Sequence, residues 1–135
     1  GRLELIRERD GVKVYNDTTA TTPEATLVAL SALPAAHTVL IMGGADKSLD
    51  MSALLAKLPE VKRVIVLAGS GSERIRGELS DAPVYDTLAS AVDDAFAHVS
   101  EGDTILFSPA FASFGMFKNE YDRGDQFNEL VQEHD

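Results

Sequence analysis

Short apolar runs that alternate with helix-type spacing are the feature that most constrains the fold of this chain. The runs 39–42, 64–67 and 105–107 are continuous and rich in β-branched or aromatic residues, which is typical of strands covered on both faces in a parallel sheet. Segments with apolar residues at helical spacing separate them, the clearest over 88–99. This alternation predicts a three-layer α/β domain with a mostly parallel sheet and right-handed crossovers.

The first two strands are expected to run in opposite directions. Leu3–Ile6 and Val12–Tyr15 flank the dipeptide Asp10-Gly11, which is favoured in two-residue hairpin turns. We therefore predict an antiparallel N-terminal hairpin joined to the parallel sheet. A further short strand is predicted at Val84-Tyr85.

Capping residues indicate where the helices begin and end. Thr22 precedes a proline at the first helical position, which predicts a helix from there to about residue 33. Asp50 and Ser72 are expected to cap two further helices, and Gly102 is expected to close the helix over 88–99. A last helix has its inner face at Phe127, Leu130 and Val131.

Size and composition limit the class of protein. The 135 residues fit a single domain, 1–135. There is no cysteine, which excludes disulfides and is compatible with a cytoplasmic location. A net charge of −10 disfavours nucleic acid and anionic membranes as partners, and no apolar run approaches the ~20 residues of a membrane span. The three histidines lack metal-ligand spacing, so we predict no metal site.

Ligands of such folds gather at the carboxyl ends of the strands, and the first segment there is 16–23. Amides at the start of the following helix attract anions, and four threonines in this segment add hydroxyl donors. Asp17 offers a carboxylate that accepts hydrogen bonds from a vicinal diol such as a ribose. The alternative is an ordinary helix cap with additional threonines.

The second segment, 43–47, follows the most apolar strand. Gly43 and Gly44 allow either a close approach of the backbone to a ligand or a turn that a side chain would block. Lys47 then presents a cation at the edge of the sheet. The spacing of a Walker loop is missing here, and a plain glycine turn remains the alternative.

The third segment, 108–124, is long and follows neither a helical nor a strand period. Connections of this length are uncommon in compact domains and are usually functional. The alternative is an ordinary surface loop, in which the acidic residues 120–125 are solvated or capping charges.

Several ordered motifs resemble the Mur ligase family, and within it the members that add D-glutamate. They are Gly1-Arg2-Leu3-Glu4, the 16–21 and 43–47 segments, Ser108 to Phe114 continuing through Phe117-Lys118-Asn119, and Arg123-Gly124. The resemblance covers nearly the whole chain, and the block from Ser108 to Gly124 is its most specific part.

The resemblance implies a Rossmann-like, C-terminal, amino-acid-binding domain of a three-domain ATP-dependent ligase. ATP and magnesium, the latter held mainly by the central domain, convert the carboxylate of UDP-N-acetylmuramoyl-L-alanine to an acyl phosphate that D-glutamate attacks. The two other domains of the same polypeptide would be the protein partners, and a monomer is expected. The chain lacks the phosphate-binding Walker loop, so this part alone should be inactive.

The resemblance also assigns residues. Arg2 and Asp17 would bind ATP, and no residue of the chain is expected to be catalytic. D-Glutamate would be bound by Thr21, Lys47, Ser113 and Phe114. Thr19, Lys118 and Asn119 would serve either the substrate or the structure.

Two positions depart from the family pattern and keep other functions open. Thr19 stands where many members carry a lysine that helps bind the amino-acid carboxylate. Glu120 stands where an aromatic residue is common, and a carboxylate facing D-glutamate would repel it. The alternatives are another Mur ligase or a folylpolyglutamate-type ligase with a different amino acid, or a stand-alone nucleotide-binding domain.

Overall fold

The computed structural model describes residues 2–79 and 81–134, whose strands form one mixed sheet. In chain order the strands are β1 (Glu4–Arg9), β2 (Val12–Asn16), β3 (Thr38–Gly43), β4 (Arg63–Leu67), β5 (Val84–Tyr85) and β6 (Thr104–Phe107). Their order in the sheet is β1-β2-β6-β3-β4-β5. Only the β1–β2 pair among them is antiparallel, and the other pairs are parallel. The predicted sheet and its N-terminal hairpin are therefore confirmed.

The hairpin turn has the backbone geometry that its sequence predicts. Asp10 has a φ of 54° and Gly11 a φ of 76°, and positive φ at both central residues is what the tight turn between right-twisted strands requires. Arg9 pairs with Val12 across it. Asp10 tolerates this region because short polar side chains can hydrogen-bond locally.

Five helices complete the described part of the chain. They are α1 (Pro23–Ser31), α2 (Ser52–Lys57), α3 (Ser70–Arg74), α4 (Leu88–Ala97) and α5 (Glu120–Glu133). Single 3₁₀ turns lie at Ala35–His37, Leu58–Glu60 and Arg76–Glu78. None of the helices in these described ranges is long and apolar enough to cross a membrane.

Thr22 caps α1 as predicted, because its hydroxyl accepts a hydrogen bond from Ala25 N. Three other predicted helix ends are wrong. Asp50 lies one residue too early and accepts from Ser52 N in a local turn. Ser72 lies inside α3, where its hydroxyl donates to Leu67 O of the preceding strand. Gly102 belongs to the turn before β6, because α4 already ends at Ala97.

Two apolar layers cover the sheet, which confirms the three-layer prediction. The side chains of β3 alternate, so Leu40 and Met42 face α1 and α2 while Val39 and Ile41 face α4 and α5. On the second face, the rings of Phe107 and Phe127 stack with centroids 4.6 Å apart. Both layers are closed to solvent along β3, where all six residues are buried.

The connection after β6 is shorter than predicted. Asn119 caps α5 by accepting from Asp122 N, so the loop spans 108–119 and residues 120–124 are already helical. The helix begins early because its first turn carries acidic residues that suit a helix N-terminus. Gly124 lies against Thr18, whose Cγ2 would be 2.6 Å from any added Cβ.

Candidate functional site

Backbone hydrogen bonds fix the carboxyl ends of β2, β6 and β3 side by side. The loops that leave these strands contain the three segments singled out in the sequence. The bonds run from Asp17 N to Phe107 O (2.8 Å), from Ser108 N to Ile41 O (3.2 Å) and from Gly43 N to Pro109 O (2.9 Å). The three loops therefore start from positions that the sheet determines.

The same loops stay joined beyond the strands. Ala110 N donates to Ala20 O at 2.8 Å, and Ala45 and Ala112 exchange two backbone bonds of 3.0 and 3.2 Å. Ala110 is buried and has a φ of 67°, a conformation that costs a non-glycine residue roughly 1–3 kcal/mol. Its neighbours on both sides hold it there, so the loops form one continuous layer.

One cavity of about 630 Å³, which we call the Asp17 cavity, lies between the β2–α1 loop and α1. It brings together three predicted residues, Arg2, Asp17 and Thr19. Its other walls are apolar and come from Leu3, Ala20, Ala25, Val28 and Ala29. A few polar groups among apolar side chains are what a nucleoside-sized ligand needs.

Asp17 is 4% exposed, and neutral groups hold its carboxylate. Leu3 N donates to Oδ1 at 2.8 Å, and the Ser108 hydroxyl donates to Oδ2 at 2.7 Å. Burial raises the pKa of Asp17, although these two hydrogen bonds act in the opposite direction. A carboxylate has about four acceptor positions, so each oxygen keeps one for a ligand.

A second cavity, which we call the Ser113 cavity, has a volume of about 510 Å³. It brings together Ser113 and Phe114, and it also reaches Asp86, which follows β5. Ser113 is 8% exposed, whereas Phe114 is 61% exposed. The remaining walls come from 43–45, 67–70, 112, 115–117 and Arg123.

The glycines of the second segment serve close packing within the chain. Gly43 has a φ of 123°, and an added Cβ would lie 2.7 Å from Leu67 N and 2.8 Å from the Ser72 hydroxyl. Gly44 has a φ of 148°, and an added Cβ would lie 2.6 Å from Ala112 O. Glycine is required here because β3, β4 and the 108–119 loop approach one another closely.

Two predicted residues, Lys47 and Thr21, lie outside both cavities. Lys47 is exposed, and the pairing of Ala45 with Ala112 places its loop next to that of Ser113. Thr21 is half-buried, and its amide donates to Thr19 O. The structure thus brings the predicted D-glutamate residues to one edge of the sheet without gathering them in one cavity.

Lys118 and Asn119 organise the start of α5. The Asn119 side chain accepts from Asp122 N at 2.8 Å, and Lys118 N donates to the Asp122 carboxylate at 3.1 Å. Both side chains are exposed. The backbone of Glu120 is fixed as well, since its carbonyl accepts from the Thr18 hydroxyl at 2.7 Å.

A family model described as "Mur ligase, glutamate ligase domain" matches residues 1–111. This chain belongs to the Mur ligase family. It is 45% identical over 133 residues to the UDP-N-acetylmuramoylalanine–D-glutamate ligase of Solibacter usitatus, covering 96% of this chain and 30% of that protein. It is 41% identical over 136 residues to the ligase of the same name from Borreliella afzelii, with 96% and 30% covered. The chain spans about 30% of these relatives.

Solved Mur ligase structures share the fold at low identity. A murein peptide ligase from Psychrobacter arcticus superposes with a TM-score of 0.64 at 13% identity, over 99% of this chain and 30% of that one. The MurF ligase from Thermotoga maritima, solved in complex with ADP, gives a TM-score of 0.58 at 21% identity, over 98% and 30%. The resemblance inferred from the motifs is confirmed.

The structural role of Arg123 in this Mur ligase chain was not predicted from the sequence. Arg123 is 1% exposed, and it donates to Thr18 Oγ1 (3.1 Å), Thr18 O (2.7 Å) and Phe111 O (3.0 Å). Burial lowers its pKa to about 10. A signal was present, because Arg123 precedes Phe127 by one helical turn and so shares the inner face of α5.

Ser108 was also missed as an individual residue, although the segment that it opens was not. It is fully buried and joins Asp17 to α1 through the Thr26 hydroxyl. In residues 2–79 and 81–134 no three His, Asp or Glu side chains come together in a way that could hold a metal ion.

Proposed function

We propose that residues 1–135 form the C-terminal, amino-acid-binding domain of a three-domain, ATP-dependent UDP-N-acetylmuramoylalanine–D-glutamate ligase. The observation that carries this proposal is the match of 96% of the chain to about 30% of two relatives with that name. The remaining length of such a relative would accommodate two further domains of ordinary size. Those domains, the UDP-sugar substrate and D-glutamate would be the partners of this chain.

The Asp17 cavity suits the ribose end of ATP. The Asp17 carboxylate can accept hydrogen bonds from two adjacent hydroxyls, and the apolar lining suits a flat or carbon-rich group. Arg2, which also lines the cavity, adds a positive charge. ATP supplies the phosphoryl group that activates the substrate carboxylate. Magnesium would be held mainly by the central domain, as the family resemblance implies.

D-Glutamate is placed at the edge of the Ser113 cavity nearest to Lys47. A dicarboxylate needs a cation together with hydroxyl or amide donors, and the neighbouring loops of Lys47 and Ser113 supply both. Asp86 lines the side of the cavity that is farther from Lys47, because it follows β5, which is two strands from β3 in the sheet. Its negative charge would repel a substrate carboxylate bound on that side. Thr21 and Phe114 would complete the site when the domains close.

Measurements on the full-length enzyme test this proposal. Phosphate release from ATP should require D-glutamate and UDP-N-acetylmuramoyl-L-alanine together. The Lys47→Ala variant should raise the KM for D-glutamate about tenfold or more, because a charge-assisted contact is lost. The matched control is Lys57→Ala, which removes a lysine that pairs with Glu60 away from both cavities. Activity with a different amino acid and none with D-glutamate would contradict the proposed substrate.

A further inference from the structure

Ser108 connects the Asp17 cavity to the interior of the sheet. It is the first residue after β6 and is fully buried. Its hydroxyl lies 2.7 Å from Asp17 Oδ2 and 2.9 Å from the Thr26 hydroxyl on α1. The Thr26 hydroxyl also lies 3.2 Å from the Ser108 carbonyl oxygen. Three elements of the fold, β2, α1 and β6, therefore meet at this side chain.

The direction of these hydrogen bonds follows from counting protons. A hydroxyl has one proton to donate, and an ionised carboxylate can only accept. The Ser108 proton therefore goes to Asp17, and the Thr26 proton goes to an oxygen of Ser108. The single proton of the Ser108 hydroxyl is therefore committed to Asp17, whichever oxygen of Ser108 accepts from Thr26.

The orientation of Asp17 depends on few groups. Leu3 N donates to one carboxylate oxygen and Ser108 to the other, which fixes the plane of the carboxylate. Neither donor carries a formal charge, so the orientation of this buried carboxylate depends on the two hydrogen bonds. Leu3 contributes a backbone amide, which leaves Ser108 as the side chain that sets the orientation of Asp17.

We propose that Ser108 is a positioning residue for nucleotide recognition, whose hydroxyl holds the Asp17 carboxylate in the orientation that accepts two ribose hydroxyls. This inference rests on the proposed function, since it presumes that Asp17 binds the ribose of ATP. Ser108 does not touch the nucleotide itself, because it is fully buried. Its effect is limited to contacts that Asp17 makes.

The test uses the full-length enzyme and the ratio of kcat/KM for ATP to kcat/KM for 2′,3′-dideoxy-ATP. Asp17→Ala should bring this ratio close to one, because the acceptor of the ribose hydroxyls is gone. Ser108→Ala should lower the ratio about three- to tenfold, since losing a hydrogen bond to a charged group misplaces the carboxylate. The double variant, with both Asp17→Ala and Ser108→Ala, should have the same ratio as Asp17→Ala alone.

The ratio does not depend on the fraction of enzyme that is folded, because both nucleotides are measured on one preparation. Thr26→Val is the matched control: it disturbs the same buried cluster without removing the Ser108–Asp17 bond and should leave the ratio unchanged. If Ser108→Ala cannot be purified, Ser108→Cys, a weaker donor, should lower the ratio at least about twofold.

The outcomes separate the two proposals. If Asp17→Ala keeps the wild-type ratio, Asp17 does not bind the ribose hydroxyls, and Ser108 has no role in positioning it for that contact. A low ratio in Asp17→Ala with a wild-type ratio in the Ser108 variants would overturn the positioning role alone. An equal fall for both nucleotides in Ser108→Ala would likewise show that Ser108 serves only the structure.

Discussion

Two carboxylates at opposite ends of the sheet are both almost inaccessible to solvent but are stabilised differently. Asp17, after β2, is 4% exposed, and Asp103, before β6, is 3% exposed. Asp17 accepts hydrogen bonds from neutral donors, and its burial raises its pKa. Asp103 also loses solvation, but hydrogen bonds from Lys62, the Ser100 amide and His37 outweigh this and lower its pKa.

Two arginines, one buried and one half-buried, repeat the contrast. Arg123, at the carboxyl end of the sheet, donates to two carbonyls and one hydroxyl, and burial lowers its pKa to about 10. Arg63, at the start of β4, forms two bonds to the Asp94 carboxylate, 2.7 and 3.0 Å long, which raise its pKa.

The difference indicates what each region contributes. At the amino end and along α4, opposite charges neutralise each other, so their ionisation stabilises the fold. At the carboxyl end, Asp17 and Arg123 form their hydrogen bonds with neutral groups, and burial shifts the pKa of each toward its neutral form, which costs stability. Such charges keep their electrostatic effect for a ligand, and this is the end where both cavities lie.

The largest expected effect is that of Arg123→Ala. Three acceptors would lose their donor and a cavity would remain beneath α5, so we expect a loss of about 3–5 kcal/mol in the free energy of unfolding. The matched variant, Arg63→Ala, should cost about 1–2 kcal/mol, because Tyr85 and His98 still contact Asp94. Urea denaturation of the chain measures both free energies of unfolding. A larger loss in Arg63→Ala than in Arg123→Ala would contradict the difference between the two ends of the sheet.

Neutralising the two carboxylates should give different results at pH 7. Asp103→Asn replaces a charge that binds Lys62 and should cost about 1.5–3 kcal/mol. Asp17→Asn removes the cost of burying a charge while keeping an oxygen acceptor, so we expect a change within about 1 kcal/mol. Thermal denaturation of the two variants and the wild type compares them. A greater loss of stability in Asp17→Asn than in Asp103→Asn would mean that the fold stabilises the charge of Asp17.

The pH dependence of stability should separate the same pair. The folded pKa of Asp103 is lowered, so its contribution is present above the ordinary carboxyl pKa of about 3.9 and is lost as pH falls below it. The folded pKa of Asp17 is raised, so the cost of its ionisation disappears as pH falls through the folded value. Acid unfolding should therefore be shallower in Asp103→Asn and steeper in Asp17→Asn than in the wild type.

Most of the fold could be predicted because local patterns determine it. The apolar runs and the Asp10-Gly11 turn predicted the strand ends to within one residue, except that β1 continues to Arg9, three residues beyond its predicted end. The start of α5 was missed because residues 120–126 are mostly polar and hide the helical period. Ser72 was misassigned because its hydroxyl bonds to Leu67, a tertiary contact that a local capping rule does not contain.

The candidate site could be predicted as a region but not as an arrangement. The strand-end rule correctly placed the loops of Asp17, Lys47 and Ser113 at one edge of the sheet. Which side chains share a cavity depends on contacts between distant residues, such as the pairing of Ala45 with Ala112. The burial of Arg123 likewise depends on carbonyls that are far away in the sequence or belong to another loop.

The smallest expected effect concerns Asn119, which the sequence left between a substrate role and a structural one. It lies at the carboxyl end near the buried Arg123, but it is exposed and caps α5. Asn119→Ala should cost about 1 kcal/mol of stability, as does the loss of other helix caps. Thr87→Ala, at the cap of α4 and not among the residues that line the Ser113 cavity, should cost a similar amount.

Asn119→Ser keeps a capping oxygen and separates the two roles. If Asn119 only caps the helix, the serine variant of the full-length enzyme should keep both its stability and its KM for D-glutamate. A raised KM with unchanged thermal stability would instead assign the Asn119 amide to the substrate. The carboxyl end of the sheet would then contain an exposed ligand contact at the first turn of α5, next to the buried Arg123 that anchors the same turn to the β2–α1 loop.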